Sequence, residues 1–153
     1  MADDFLERLG MPGLLRAARK AYASAVRVAL TDAGFDDLPR NGATVLARVY
    51  DDASPLPDLT RQLSISKQAI SQLIDTMVMR GYLDRTPDTE DRRRMLLTLT
   101  PRGEAAARIC WEAATEVDDE LERRLSAEGV SALRASLIVM AEMGMEHASA
   151  QGS

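Results

Sequence analysis

Five residues in one short stretch, Ser66, Lys67, Gln68, Ser71 and Gln72, offer hydroxyls, amides and a cation without any large apolar group. Such side chains can donate to and accept from base edges in the major groove of duplex DNA, and can reach phosphate oxygens. Further along, Arg92, Arg93 and Arg94 set three guanidinium groups in a row. Arginine suits paired contacts with phosphate and insertion into a narrow minor groove. Both groups need a frame to hold them. Ile70, Leu73, Ile74, Met77 and Val78 follow the spacing of a buried helical stripe, which leaves the polar residues on the opposite face. Ser66 is placed to cap that helix, and Ile65 and Ile70 to pack as a hydrophobic staple. Gly81 closes it, since a left-handed backbone costs glycine little.

Tyr82, Leu83 and Arg85 then make a strand-like run stopped by Pro87. Asp88-Thr89-Glu90-Asp91 is turn chemistry, and residues 95–100 form the returning strand. Upstream, Pro57-Asp58 opens a helix with Leu59 and Leu63 turned inward. Helix, tight turn, helix and basic hairpin together make a winged helix-turn-helix. Alternation along a strand sends neighbouring side chains to opposite sides, so the three arginines cannot share one task.

This stretch resembles the MarR family of bacterial transcription regulators. The resemblance is carried by Leu63-Ser64-Ile65-Ser66-Lys67-Gln68-Ala69-Ile70-Ser71, by Arg80-Gly81-Tyr82-Leu83, and above all by Asp91-Arg92-Arg93 running into Leu99-Thr100-Pro101-Arg102-Gly103. The last is the family's wing pattern, D-x-R, five residues, then L-T; the first two occur in many winged helices. Ser64 stands where such turns often carry glycine, and Leu56 where a capping polar residue is usual. The resemblance implies a mainly α (α+β) fold: a winged helix-turn-helix at about 36–100, with dimerisation helices at about 11–34 and 101–148, all in one domain of 153 residues. It implies Arg93 as the recurrent wing arginine, paired with or positioned by Asp91. Arg92 is the next candidate for a phosphate or minor-groove contact, and Arg94 starts the strand.

The rest of the chain agrees with that layout. A net charge of −5 looks wrong for a DNA binder until it is divided: −2 over residues 1–60, +3 over 61–102 and −6 over 103–153. Local charge decides where a polyanion docks, and here it gathers on the helix-turn-helix and wing. Single Cys110 excludes an internal disulfide, which suits a reducing cytoplasm. The acidic first ten residues lack the pattern of a secretion signal, and no apolar run is long enough to span a membrane. Residues 1–10 read as poorly ordered or a docking arm. Residues 13–33 read as a helix with a stripe at Leu14, Ala18, Tyr22, Ala25 and Ala29, closed by Gly34. Pro39 suits the first turn of the next helix, which buries Val45, Leu46 and Val49 and is weakened by Gly42. Thr100-Pro101 starts a helix to about Leu125, Ser126 caps the last one, and the tail frays after about Glu146.

The expected partners are double-stranded DNA and a second copy of the chain, with neither cofactor nor metal. Family members often respond to small aromatic or phenolic acids, so the resemblance implies such an effector while no residue here shows it. Some members sense oxidants through a cysteine near the N-terminal helices; Cys110 lies mid-helix on an apolar side and reads as a buried, inert thiol. Tyr22 and Trp111 read as core or dimer contacts rather than cavity walls, and His147 as a tail residue. An enzyme finds no support in one His, one Cys and no phosphate loop. A winged helix serving protein contact is the alternative to a sequence-specific regulator.

Overall fold

The computed structural model describes residues 2–51, 66–87 and 95–151, with side chains at 5–50, 66–87 and 96–146. Among the described residues, five helices and two strands follow in order: α1 Ala2–Glu7, α2 Met11–Asp32, α3 Gly42–Asp51, α4 Lys67–Met79, β1 Leu83–Pro87, β2 Met95–Leu99 and α5 Pro101–Gln151. The chain divides into two compact units, Met1–Ala114 and Thr115–Ser153.

In the first unit the core is built where apolar spacing demands it. Val45 and Leu46 of α3, Ile70, Ile74 and Met77 of α4, Leu83 of β1, Leu97 of β2 and Ala106 and Cys110 of α5 all lie buried together. Leu73 and Val78 are half-buried against the same cluster. Two helices end in the same way. Past α2, Gly34 takes φ +80°, its N–H bonds the Thr31 carbonyl, and the Phe35 N–H bonds the Leu30 carbonyl at 2.8 Å. Past α4, Gly81 takes φ +72°, with Gly81 N–H on Val78 and Tyr82 N–H on Met77, both at 2.9 Å. This paired bonding satisfies carbonyls that would otherwise end the helix without partners. It also throws an aromatic residue inward each time, and the rings of Phe35 and Tyr82 meet at 6.3 Å between centroids.

β1 and β2 pair antiparallel, from Leu83 opposite Leu99 to Pro87 opposite Met95. Thr100 then caps α5: its Oγ1 accepts from Gly103 N–H at 3.0 Å and donates to the Gly81 carbonyl at 2.6 Å. Gly103 packs so closely on β1 that a β-carbon there would lie 2.0 Å from the Tyr82 carbonyl oxygen.

In the second unit, α5 breaks at Ser126, which takes φ 65° and ψ 165° inside an otherwise helical run. Ser126 Oγ restarts the helix by accepting from Gly129 N–H at 3.5 Å. Past the break, Leu133, Leu137, Ile138 and Val139 are each 41–55% exposed.

Four expectations are corrected. Residues 2–7 are helical, so of the two readings of the N-terminal stretch the poorly ordered one is set aside. Pro39 sits in the turn before α3, where its carbonyl accepts from Gly42 N–H at 2.8 Å; it is not in the helix's first turn. Gly42 is the first residue of α3 rather than a weak interior point, and a β-carbon there would come within 2.9 Å of Leu38 Cγ. The C-terminal helix continues past Glu146 to Gln151. The helix expected around Leu59 and Leu63 lies outside the described residues, as does Ile65 of the staple.

Candidate nucleic-acid interface

The face presented by α4 follows from its two capped ends and its anchored back. Ser66 stays extended at φ −66° and ψ 156°, and its Oγ accepts from Ala69 N–H at 3.1 Å. This satisfies one of the free amides of the first turn. Ile70, Ile74 and Met77 lie at 0–1% exposure, which fixes the helix's rotation about its own axis. Ser66, Lys67, Gln68, Ser71 and Gln72 are consequently all exposed together on the other side. Lys67 in the first turn adds its charge to the positive end of the helix dipole, so a phosphate would meet both. Thr76 is taken up by its own helix, donating to the Gln72 carbonyl at 2.8 Å.

Asp75, one turn further along the exposed face, would repel a phosphate on its own. Arg85 of β1 pairs with it at 2.5 Å and ties the helix to the first strand of the hairpin. The other sequence-predicted residues, Arg92, Arg93 and Arg94, lie outside the described residues, together with Asp91. The strands that lead to and from them are present, and their last pair is Pro87 with Met95.

A group that sequence reasoning passed over holds the far end of α4. Asp37, in the turn after α2, accepts on one carboxylate oxygen from Tyr82 Oη at 2.5 Å and from Arg102 at 2.8 Å. Arg102 also donates to the Arg80 carbonyl at 2.6 Å, and Arg80 donates to the Asp37 carbonyl. The Arg102 guanidinium lies over the Tyr82 ring, 4.4 Å from its centroid. The Tyr82 hydrogen bond, helped by both arginines, holds the Asp37 carboxyl below its ordinary value. Burial, followed by that same bond, pushes the Tyr82 phenol up to about 12. Nothing in the sequence joins Asp37 to Arg102, because the chain between them must fold before they meet.

Cys110 is buried, and burial pushes its thiol up to about 11, which disfavours the reactive thiolate. Tyr22, with Cys110, lines a cavity of about 1200 Å³ in the first unit, whereas Trp111 is 65% exposed. Among the described residues, no three His, Cys, Asp or Glu side chains could hold a metal ion. Nor is any described helix long and apolar enough to cross a membrane.

A family model described as the MarR family matches residues 36–94, from the Asp37 turn through α3, α4 and β1 to the arginine run. Over 77 residues the chain is 30% identical to the multiple antibiotic resistance protein MarR of Salmonella typhimurium, taking in 50% of this chain and 54% of that protein. Over these residues the chain is similar to the MarR family. It spans about half the length of the MarR relatives it matches in sequence. In three dimensions the likeness reaches further. The reduced form of Escherichia coli MarR superposes with a TM-score of 0.66 at 22% identity, covering 86% of this chain and 96% of that one. A variant of S. aureus MepR bound to an oligodeoxyribonucleotide superposes at a TM-score of 0.54 and 19% identity, covering 89% and 99%. The fold is therefore the mainly helical winged helix of MarR proteins, with a two-stranded antiparallel hairpin.

Proposed function

We propose that this chain is a sequence-specific DNA-binding transcriptional regulator that acts as a homodimer on a near-palindromic operator. One observation carries the reading: α4 is capped, anchored through Ile70, Ile74 and Met77, and outwardly lined by Lys67, Gln68, Ser71 and Gln72. A helix set into a major groove needs amides and hydroxyls at base edges, a cation for phosphate and no bulk to hold it off. The MarR family match over residues 36–94 and the likeness to the oligodeoxyribonucleotide complex of S. aureus MepR support the same reading. Arg92, Arg93 and Arg94 would take the flanking phosphates or minor groove, with Arg93 the main contact.

The homodimer is part of the same proposal: Leu133, Leu137, Ile138 and Val139 past Ser126 are 41–55% exposed and would be covered by a second copy. A two-fold axis places two copies of α4 on half-sites about one turn of DNA, ~10 base pairs, apart. Occupying a promoter in this way blocks transcription, so the expected action is repression in the cytoplasm, with no catalytic step. A small aromatic or phenolic acid would release it by favouring a spacing of the two helices that does not match DNA.

Selection of duplex DNA from a random pool at near-physiological salt tests the proposal. Recovery of an inverted repeat is the expected result. A pool that stays random with a folded dimer would overturn sequence-specific regulation and favour docking of an acidic protein partner.

A further inference from the structure

The turn between α2 and α3 brings two features together. Leu38 N–H bonds the Phe35 carbonyl at 3.2 Å, so residues 35–38 form a tight reversal with Asp37 inside it. Asp37 is the point on which the exit of α4, the approach to β1 and the first turn of α5 converge, through Arg80, Tyr82 and Arg102. Phe35, Leu38 and Pro39 of the same turn form part of the wall of the 1200 Å³ cavity. Leu38 also packs against the core and crowds the start of α3 at Gly42.

The side chains of Asp37 and Arg102 are each 40% exposed. Ion pairs so open to water add little stability, because screening and side-chain entropy offset the attraction. Their directional bonds still fix geometry. Arg102 grips the last carbonyl of the α4 cap, lies over the Tyr82 ring and holds Asp37, so the α4 exit cannot turn without breaking one of the three.

We propose that the α2–α3 turn is a control point for DNA reading: Asp37 is a positioning residue for α4, and the cavity wall around Leu38 sets where Asp37 stands. This rests on the DNA-binding reading above and adds the regulation of that same site. Displacing the turn from the cavity side loosens the hold on Arg80 and Tyr82 and detunes the helix, although the turn itself need touch no DNA. Coupling of this sort requires that the two sites bias one element, here the exit of α4.

The test is a double-mutant cycle read by DNA affinity and by backbone amide exchange at residues 79–83. Asp37→Asn keeps the shape and removes the charge; roughly tenfold weaker binding to the selected operator is expected, within the usual range of coupling between sites. The salt dependence should not change, since no phosphate contact is lost. Tyr82→Phe, which removes only the hydroxyl, should act in the same direction and guards against an Asp37 variant that folds poorly. Leu38→Ala should weaken binding by about threefold in the parent and by much less in the Asp37→Asn background, the mark of two residues acting through one path. Amides at 79–83 should exchange faster in every single variant. Parent-like affinity in Asp37→Asn, or effects of Leu38 and Asp37 that simply multiply, would overturn the proposal. A parent that selects no sequence ends the DNA reading instead. The exchange data then decide alone: faster exchange in the single variants, not compounded in the double, keeps the control point, and unchanged exchange removes it.

Discussion

α4 and the helix that follows Ser126 begin alike and end differently. Both open on a serine whose hydroxyl accepts from the amide three residues on, and both carry leucines, isoleucines and methionines at helical spacing. In α4 the apolar side is sealed, with Ile74 and Met77 at 0% exposure. Past Ser126, Ile138 stands at 50% and Met143 at 52%. Apolar surface is stabilising only once it leaves water, by about 25 cal/mol per Å². The first helix obtains that gain inside its own chain and is rigid enough to present a patterned face. The second leaves its apolar side exposed, and under the proposed function the contrast divides a reading element from an assembling one.

Truncation should separate the two most sharply. Ile74→Ala should cost about 2–5 kcal/mol of stability at every protein concentration, measured by denaturant unfolding. Leu137→Ala should cost little in dilute protein and show itself as a steeper concentration dependence of melting and a weaker dimer. Equal, concentration-independent losses would erase the distinction. Gly103→Ala probes the rigid side from its junction: a β-carbon 2.0 Å from the Tyr82 carbonyl must push α5 off β1. A loss of about 3 kcal/mol, at the high end for overpacking, is expected in thermal unfolding; parent-like melting would show the junction to be pliant.

At the proposed reading face, Gln68→Ala should leave folding intact and relax sequence preference at one base pair, by about 1–3 kcal/mol of discrimination. Arg93→Ala should instead weaken all duplexes alike and lower the salt slope. Identical selections by parent and both variants would move DNA reading off these residues. Ser66→Ala removes the cap and should lower stability by ~1 kcal/mol, with amide exchange rising first at the start of α4.

The smallest effect concerns pH. Asp37, held below its ordinary value, stabilises the fold above the unfolded carboxylate value of ~3.9 and loses that contribution as pH falls through its lower folded value. Tyr82, pushed up to about 12, stabilises below the unfolded phenol value of ~10 and loses its contribution between that value and the folded one. Melting curves of Tyr82→Phe should therefore lack the alkaline step.

The features readable in advance were those decided by near neighbours. The Ser66 and Thr100 caps, the left-handed Gly81, the stripe through Ile70, Ile74 and Met77, and the buried Val45, Leu46 and Val49 each depend on spacing within one or two turns. The start of α3 was misplaced because Pro39 and Gly42 satisfy generic helix-start rules in two ways, and only the approach of Leu38 selects between them. Residues 2–7 were misjudged because an acidic stretch with little periodicity carries a weak helical signal. The grip of Arg102 on Asp37 and Arg80 could not be read at all, since charged residues so far apart in sequence have many equivalent partners until the fold chooses.

The matched exits of α2 and α4 also bear on how this chain can change in length. Each helix delivers its following aromatic to one shared contact, Phe35 against Tyr82, through a glycine in a fixed left-handed turn. One residue inserted into or deleted from either helix turns everything beyond it by about 100° and moves it 1.5 Å along the axis. Phe35 or Tyr82 would then swing away from the other, whatever residue had been added. Substitutions on the exposed faces of both helices can be absorbed, whereas their residue counts are locked to one another.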